Sequence, residues 1–286
     1  MNVNKLKLDD SNYPSILTNI SSPPAQIYWS GQPLAEWLDK PKVAIVGSRK
    51  FTNYGKTIAA QLATELARAG VVIISGLAFG IDVTAHQAAL DAGGQTVAVL
   101  GSSLDRISPA AHLNVARQIL QQGTIISEYP PGTNTYAGNF VIRNRIISGL
   151  SDVVVIPEAA LKSGSLHTAR FAMEQGKTVM AVPGNITSPA SEGCNNLIKS
   201  GAVPVTGVED IFFALKLSPQ KQKEARLFKG TEVEEIIYAL IKDGLSDQDE
   251  IAQAARVDTP TLSSALTMLE ISGHIRPAGA GNWIIA

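Results

Sequence analysis

The chain carries a single cysteine, Cys194, in 286 residues. That excludes an internal disulfide and a cysteine-rich metal site, and it fits a protein of a reducing compartment. No run of about 18 uninterrupted apolar residues occurs, so no membrane-spanning helix is expected. The opening Met1-Asn2-Val3-Asn4-Lys5 lacks the apolar core of a signal peptide, and a cytoplasmic protein with no membrane partner is expected. Histidine is scarce: His86, His112, His167 and His274 show no i,i+4 pairing, so neither a metal nor a cofactor is expected from them. Blocks of like charge are missing too. The net charge is −1, with 19 Lys+Arg against 16 Asp+Glu in residues 1–225 and 5 against 9 in residues 226–286. Any nucleic-acid site must therefore be a local patch rather than a basic surface, and the second part is acidic.

What is present is a well-cored globular composition, 45% apolar with mean hydropathy +0.10, long enough for one large domain and one small one. Between residues 42 and about 215, apolar strands alternate with helical stretches. The expected strands are Val43–Val46, Val71–Ser75, Thr96–Leu100, Thr124–Ser127, Val153–Ile156, Val179–Val182 and Val203–Val205, with helices such as Lys56–Arg68, Val83–Ala92 and Leu113–Gln122. Continuous apolar strands separated by amphipathic helices imply a parallel sheet covered on both faces, a Rossmann-like α/β domain over 42–217. Residues 1–41 read as an N-terminal extension packed on that sheet, and the polar segment 218–229 as a linker.

Residues 230–286 read as a second unit. Thr231-Glu232-Val233-Glu234 is a capping box, after which Val233, Ile236, Ile237, Leu240 and Ile241 fall on one helical face. A short helix over Asp247–Ala255 and a third from Thr259-Pro260 follow, then a hairpin of His274–Arg276 and Asn282–Ile285. Three helices and a β-wing make a winged helix. Its third helix contains no Lys or Arg, whereas a helix that reads duplex DNA needs cations for phosphate contacts. It is expected instead to mediate protein contacts or to modulate the complex, and not to read duplex DNA.

Six strands end in small or polar residues, among them Gly47-Ser48, Ser75-Gly76, Pro157-Glu158 and Pro183-Gly184. In open α/β sheets such carboxyl ends form the binding crevice. Two turns carry most of the signal: Gly47-Ser48-Arg49, and Ser75-Gly76-Leu77-Ala78-Phe79-Gly80-Ile81-Asp82. Glycines let backbone N–H groups approach an anion, the following helix N-terminus adds partial positive charge, and Arg49 adds a permanent cation. Ser163-Gly164-Ser165, ahead of Thr168-Ala169, is a further turn of this kind. Phe140 with Arg143 and Arg145, after the loop Pro130–Gly138, suits single-stranded nucleic acid, whose bases stack on rings while guanidinium groups take phosphates. The alternative is a helix start with Phe140 in the core and both arginines solvated.

Two nucleotide fingerprints are missing. Gly55-Lys56-Thr57 lacks the preceding glycine of a P-loop, position 50 being lysine, and no G-x-G-x-x-G follows Val46. A hydrolase of nucleoside monophosphates on a related Rossmann-like domain is the alternative function. It would need a Pro-Gly-Gly-x-Gly-Thr-type turn with a catalytic glutamate, where this chain has only Pro183-Gly184-Asn185 and Pro157-Glu158. Glu158, without a second carboxylate at useful spacing, is expected to be structural. A winged-helix transcription factor is the third reading, disfavoured by the acidic third helix.

Taken in order, Gly47-Ser48-Arg49, the 75–82 turn, Arg143-Asn144-Arg145-Ile146-Ile147-Ser148-Gly149-Leu150-Ser151, the 163–169 turn, Ala181-Val182-Pro183-Gly184 and Gly193-Cys194-Asn195-Asn196-Leu197-Ile198 resemble the signature of the DNA processing protein A family. The resemblance runs from about Tyr13 to the C-terminus and includes the winged helix. It departs at Phe140-Val141-Ile142, where members often carry a proline or more basic residues, and no N-terminal helical domain of the kind many relatives carry is seen. The resemblance implies a non-catalytic protein of natural transformation that binds and shields incoming single-stranded DNA, loads the RecA recombinase, and forms a homodimer through the Rossmann-like domain. It implies Arg49 and the Phe140/Arg143 region as principal contacts, with Ser48, Gly76 and Ser163–Ser165 lining the same pocket. The candidate DNA- and phosphate-binding set is thus Gly47, Ser48, Arg49, Ser75, Gly76, Phe140, Arg143, Arg145, Ser163, Gly164 and Ser165.

Overall fold

A computed structural model describes residues 2–217, 230–279 and 281–285. The expected linker, 218–229, lies outside the described residues. The chain divides into two units, Met1–Ala225 and Arg226–Ala286.

The first unit is built on one sheet. Its strands are β1 (Asn4–Lys7), β2 (Gln26–Gly31), β3 (Lys42–Ile45), β4 (Val72–Ser75), β5 (Thr96–Leu100), β6 (Thr124–Ser127), β7 (Val153–Ile156), β8 (Thr178–Ala181) and β9 (Val203–Pro204), in the order β1-β2-β6-β5-β4-β3-β7-β8-β9. From β6 to β9 every pairing is parallel; β2 joins β6 antiparallel and β1 joins β2 antiparallel. Residues 1–41 bury Tyr13, Leu17, Ile20, Leu34 and Trp37 in a core layer of the sheet, and they also extend the sheet itself by two strands. The exposed, polar Asn4-Lys5-Leu6-Lys7 suits an edge, where lysines discourage pairing with further strands.

β3, β4, β5 and β7 are buried along their whole length, and their residues alternate between two layers of core. Ala44, Val46, Ile74, Val154 and Ile156 face one layer, with Leu17, Ile147, Leu150, Ala169 and Cys194. These come from α1 (Ser15–Thr18), α5 (Ala137–Leu150), α6 (Ser165–Glu174) and α7 (Glu192–Lys199). Val43, Ile45, Ile73, Val153 and Val155 face the other layer, with Leu62, Leu66, Ala85 and Phe212 from α2 (Asn53–Arg68), α3 (Ile81–Asp91) and α8 (Val208–Ala214). α4 (Leu113–Gln122) buries Ala116 and Ile119 over β5 and β6. Removing this much apolar surface from water, at about 25 cal/mol per Å2, is the main force holding the layers together.

The chain leaves β3 toward β4 on one side and, after β6, crosses back to β7 on the other. Beyond the carboxyl ends of β3 and β7 the connections diverge, and the fold opens a crevice there.

The second unit has α9 (Glu232–Lys242), α10 (Gln248–Ala255), α11 (Thr259–Ile271) and a hairpin of β10 (Ile275–Gly279) and β11 (Asn282–Ile285), a winged helix. The capping box is made: Thr231 Oγ1 accepts from the Glu234 N–H, and the Thr231 N–H donates to the Glu234 carboxylate at 2.8 Å. Ile237, Ile241, Ile251, Leu262, Leu266, Leu269 and Ile275 form its core. Ile236, expected on the buried face of α9, lies at the rim of the apolar stripe and is 41% exposed.

A crevice beyond the carboxyl ends of the central strands

The crevice is lined by Gly47 and Arg49 after β3, Ala78 and Asp82 around the start of α3, Phe140, Arg143 and Asn144 on α5, and Gly164, Ser165 and Thr168 at the start of α6. Its volume is about 70 Å3. That suits a phosphate-sized group and falls well below the roughly 300 Å3 and more of pockets that enclose whole small molecules.

Backbone geometry builds it. The Ser48 carbonyl accepts from the Ile81 N–H at 3.2 Å, drawing the two turns together. Gly80 sits beneath that contact at φ +87°, and a Cβ there would meet the Ser48 carbonyl oxygen at 2.2 Å. Only glycine combines that dihedral with that approach. Asp82, 5% exposed, then ties the turns from inside, accepting from the Gly76 N–H at 3.1 Å and the Gly47 N–H at 3.4 Å. Burial raises its pKa, opposed by the Arg143 guanidinium and by backbone N–H donors.

The two arginines of α5 are not solvated, nor do both reach the crevice. Arg143 is 3% exposed; its Nη1 donates to the Gly76 carbonyl at 2.7 Å and to the Val99 carbonyl. Burial lowers its pKa to about 10, so it remains a cation at neutral pH. Arg145, 6% exposed, turns away: its Nη2 lies 2.6 Å from Glu128 Oε1 and its Nε donates to the Ser22 carbonyl. It pins the N-terminal segment to α5. The reason is helical geometry: residues two apart on a helix face nearly opposite directions, so Arg143 and Arg145 cannot serve one crevice. The helix also starts earlier than the loop reading allowed, at Ala137.

Of the remaining candidates, Gly47, Arg49, Phe140, Gly164 and Ser165 line the crevice. Ser163 supports it, its hydroxyl 2.8 Å from that of Ser165. Gly76 lies directly against the Arg143 guanidinium. Ser48 spends its hydroxyl on the Lys50 backbone, and Ser75, fully buried, donates to the Ile45 carbonyl at 2.6 Å. Neither of these two lines the crevice. Arg49 is exposed and enters no salt bridge among the described residues. Asp82, Asn144 and Thr168 were not among the candidates. The signal that could have found Asp82 is an acidic residue just inside a helix that begins after a glycine turn, where the helix N-terminus favours a carboxylate.

Glu158 holds the segment that leads into α2. It is 2% exposed, and its carboxylate accepts from the Thr52 N–H at 2.9 Å and from the Thr52 hydroxyl, while Thr52 itself caps α2.

Comparison with known proteins gives consistent matches. The sequence model of the family described as DNA recombination-mediator protein A matches residues 4–216, and that of the DprA winged helix domain matches residues 219–281. Protein Smf of Escherichia coli is 39% identical over 288 residues, covering 96% of this chain and 75% of that protein. The X-ray structure of DNA processing protein A from Streptococcus pneumoniae superposes with a TM-score of 0.70 at 39% identity, covering 74% of each chain. DNA processing protein A from Helicobacter pylori, whose structure concerns its single-stranded DNA binding mode, gives a TM-score of 0.68 at 36% identity. The match covers 76% of this chain and 96% of that one.

Proposed function

Because this chain belongs to the DNA recombination-mediator protein A family, we propose that it binds single-stranded DNA in the crevice beyond β3 and β7, as a non-catalytic protein of DNA processing. In that reading it shields the strand during natural transformation or recombination and loads the RecA recombinase onto it, acting in the cytoplasm as a homodimer through the first unit. Two linked sites would then hold one strand with avidity well above that of either alone.

The observation that carries the reading is the pairing of Arg49 with Arg143. One is exposed and enters no salt bridge among the described residues; the other is buried with its guanidinium locked on two carbonyls. Arg143 supplies a fixed positive field: Nη1 is spent on the two carbonyls and Nε on Asn144 Oδ1, so Nη2 holds its remaining donors. Arg49 supplies the mobile fork that takes phosphate oxygens in charge-assisted hydrogen bonds. The Ser163–Ser165 turn adds hydroxyls and the N-terminus of α6. Phe140, half-buried at the edge of the crevice, offers a ring for a base.

The test is fluorescence anisotropy on a labelled oligo-dT strand across a salt series, with wild type, Arg49→Ala and Arg49→Lys. Wild-type binding should weaken as salt rises, log K falling against log[salt] by about 0.7 per phosphate contact for a single strand. Arg49→Ala should lose tenfold or more, about 1.4 kcal/mol, with a shallower slope. Equal binding by wild type and Arg49→Ala would overturn the assignment.

A further inference from the structure

A second, larger cavity lies next to the crevice. Its volume is about 430 Å3, and Thr52, Tyr54, Glu158, Asn185, Ser188 and Ser191 are among the residues that line it. The segment after β3 contributes to both sites, giving Arg49 to the crevice and Thr52 and Tyr54 to the cavity. Three residues of chain reach at most about 11 Å, a gap that a strand covers within a few nucleotides.

The two sites have opposite chemistry. The crevice is cationic and phosphate-sized. Among the described residues no lysine, arginine or histidine lines the cavity, and Glu158 brings a carboxylate to it. Phosphate is repelled there. What fits is a neutral, planar group with hydrogen-bonding edges, and the volume falls within the range of pockets that enclose a small molecule.

The lining is also arranged to receive such a group. Ser191 is 6% exposed, and its hydroxyl makes no hydrogen bond among the described residues. Gly184 leaves that hydroxyl uncovered, for a Cβ on it would stand 2.2 Å from Ser191 Oγ. The oxygen is not sealed from solvent, so it can both donate to and accept from a group that enters the cavity. Each Glu158 oxygen accepts once from Thr52 and keeps a further lone pair for an N–H donor. Tyr54 is held by its hydroxyl on the Pro183 carbonyl at 2.9 Å yet remains 47% exposed, a fixed ring with surface to spare.

We propose that this cavity is a nucleobase subsite: a strand whose phosphate is held at Arg49 turns a neighbouring base into it, against Tyr54 and within reach of Ser191, Asn185 and Glu158. The inference rests on the strand-binding reading above. Because every base presents both a π-face and an N–H donor, the subsite tolerates sequence.

The experiment compares a labelled oligo-dT strand with a strand of equal length made of abasic (tetrahydrofuran) units, which keeps the phosphates. Wild type should prefer the base-bearing strand. In Tyr54→Ala that preference should shrink by fivefold or more while abasic affinity stays within twofold. Tyr54→Phe, which keeps the ring, should keep the preference, and Ser191→Val, which fills the cavity and removes the hydroxyl, should reduce it. If Tyr54→Ala and Ser191→Val leave the preference at its wild-type value while Arg49→Ala weakens both strands, the subsite is refuted and strand binding stands. If Arg49→Ala weakens neither strand, the strand-binding reading itself fails. Calorimetric binding of free thymidine at this cavity with no effect on strand affinity would assign it to a free nucleoside and overturn the proposal.

Discussion

Lowering the pH should destabilise the first unit through one imidazole, His86. The side chain is fully buried on α3, and its Nδ1 lies 2.7 Å from Thr96 Oγ1. The Thr96 hydroxyl spends its own proton on the Ile73 carbonyl at 2.8 Å. Nδ1 must therefore carry the ring proton, and Nε2 is left buried without a partner. Protonating Nε2 would create a cation with no acceptor, in the field of the Arg143 guanidinium. Burial first, then the charges of Arg143 and His112, lower the His86 pKa from 6.5 to about 3. The native state thus binds fewer protons than the unfolded state between those values, and stability is lost as pH falls through that window. At 1.36 kcal/mol per pKa unit, two units of acidification below the unfolded value cost about 3 kcal/mol, and the full window of 3.5 units about 5 kcal/mol. The assay is urea unfolding of wild type and His86→Gln at about pH 7 and pH 4.5, reading midpoints at constant m. The glutamine amide can replace the Nδ1 donor but does not titrate. Wild type should lose about 2–3 kcal/mol more than the variant between the two pH values. Equal losses in the two proteins would refute the reasoning.

Two further outcomes follow from the neighbourhood of the crevice. Gly76→Ala places a Cβ 2.6 Å from Arg143 Nη2, against a guanidinium that cannot move without leaving two carbonyls. The expected cost is about 1–3 kcal/mol in chemical denaturation, accompanied by weakened binding to oligo-dT in anisotropy. Arg145→Ala should behave differently. It leaves Glu128 and the Ser22 carbonyl without their partner, costing about 3 kcal/mol by urea titration, while strand affinity of the folded variant stays within about twofold of wild type.

Much of this architecture can be read before any coordinates are seen, for identifiable reasons. β5, β6 and β7 have the expected limits because each is an unbroken β-branched or apolar run that ends in Gly, Ser or Pro. Interior parallel strands are buried on both faces, so their signal is continuous and hard to misplace. The edge is the opposite case. Asn4-Lys5-Leu6-Lys7 is polar, short and exposed, and its pairing with β2 is a tertiary fact with little local trace. The site shows the same division. The glycine turns announce a crevice because their dihedrals and close approaches are local requirements. Whether an arginine is solvated or buried depends on what packs over it. Arg143 and Arg145 look alike in sequence, yet one reaches across the sheet to the Gly76 and Val99 carbonyls and the other to Ser22 and Glu128.

The position of β2 has a consequence for how the protein is made. Tyr28 pairs with Ser127 and Gly31 with Thr124, so the β1–β2 pair, first to leave the ribosome, has no partner in the rest of the sheet until nearly a hundred residues later. At about 5–20 residues per second, that interval is roughly 5–20 s. During it Ile27 and Trp37, buried in the finished fold, have no sheet to cover them. The late pairing is a contact of high sequence separation, whose closure entropy must be met before it is rewarded. The N-terminal hairpin is thus the natural last piece to dock and the segment most exposed to chaperones during synthesis. Arg145, reaching from α5 to the Ser22 carbonyl, then acts as a latch on a segment made more than a hundred residues earlier.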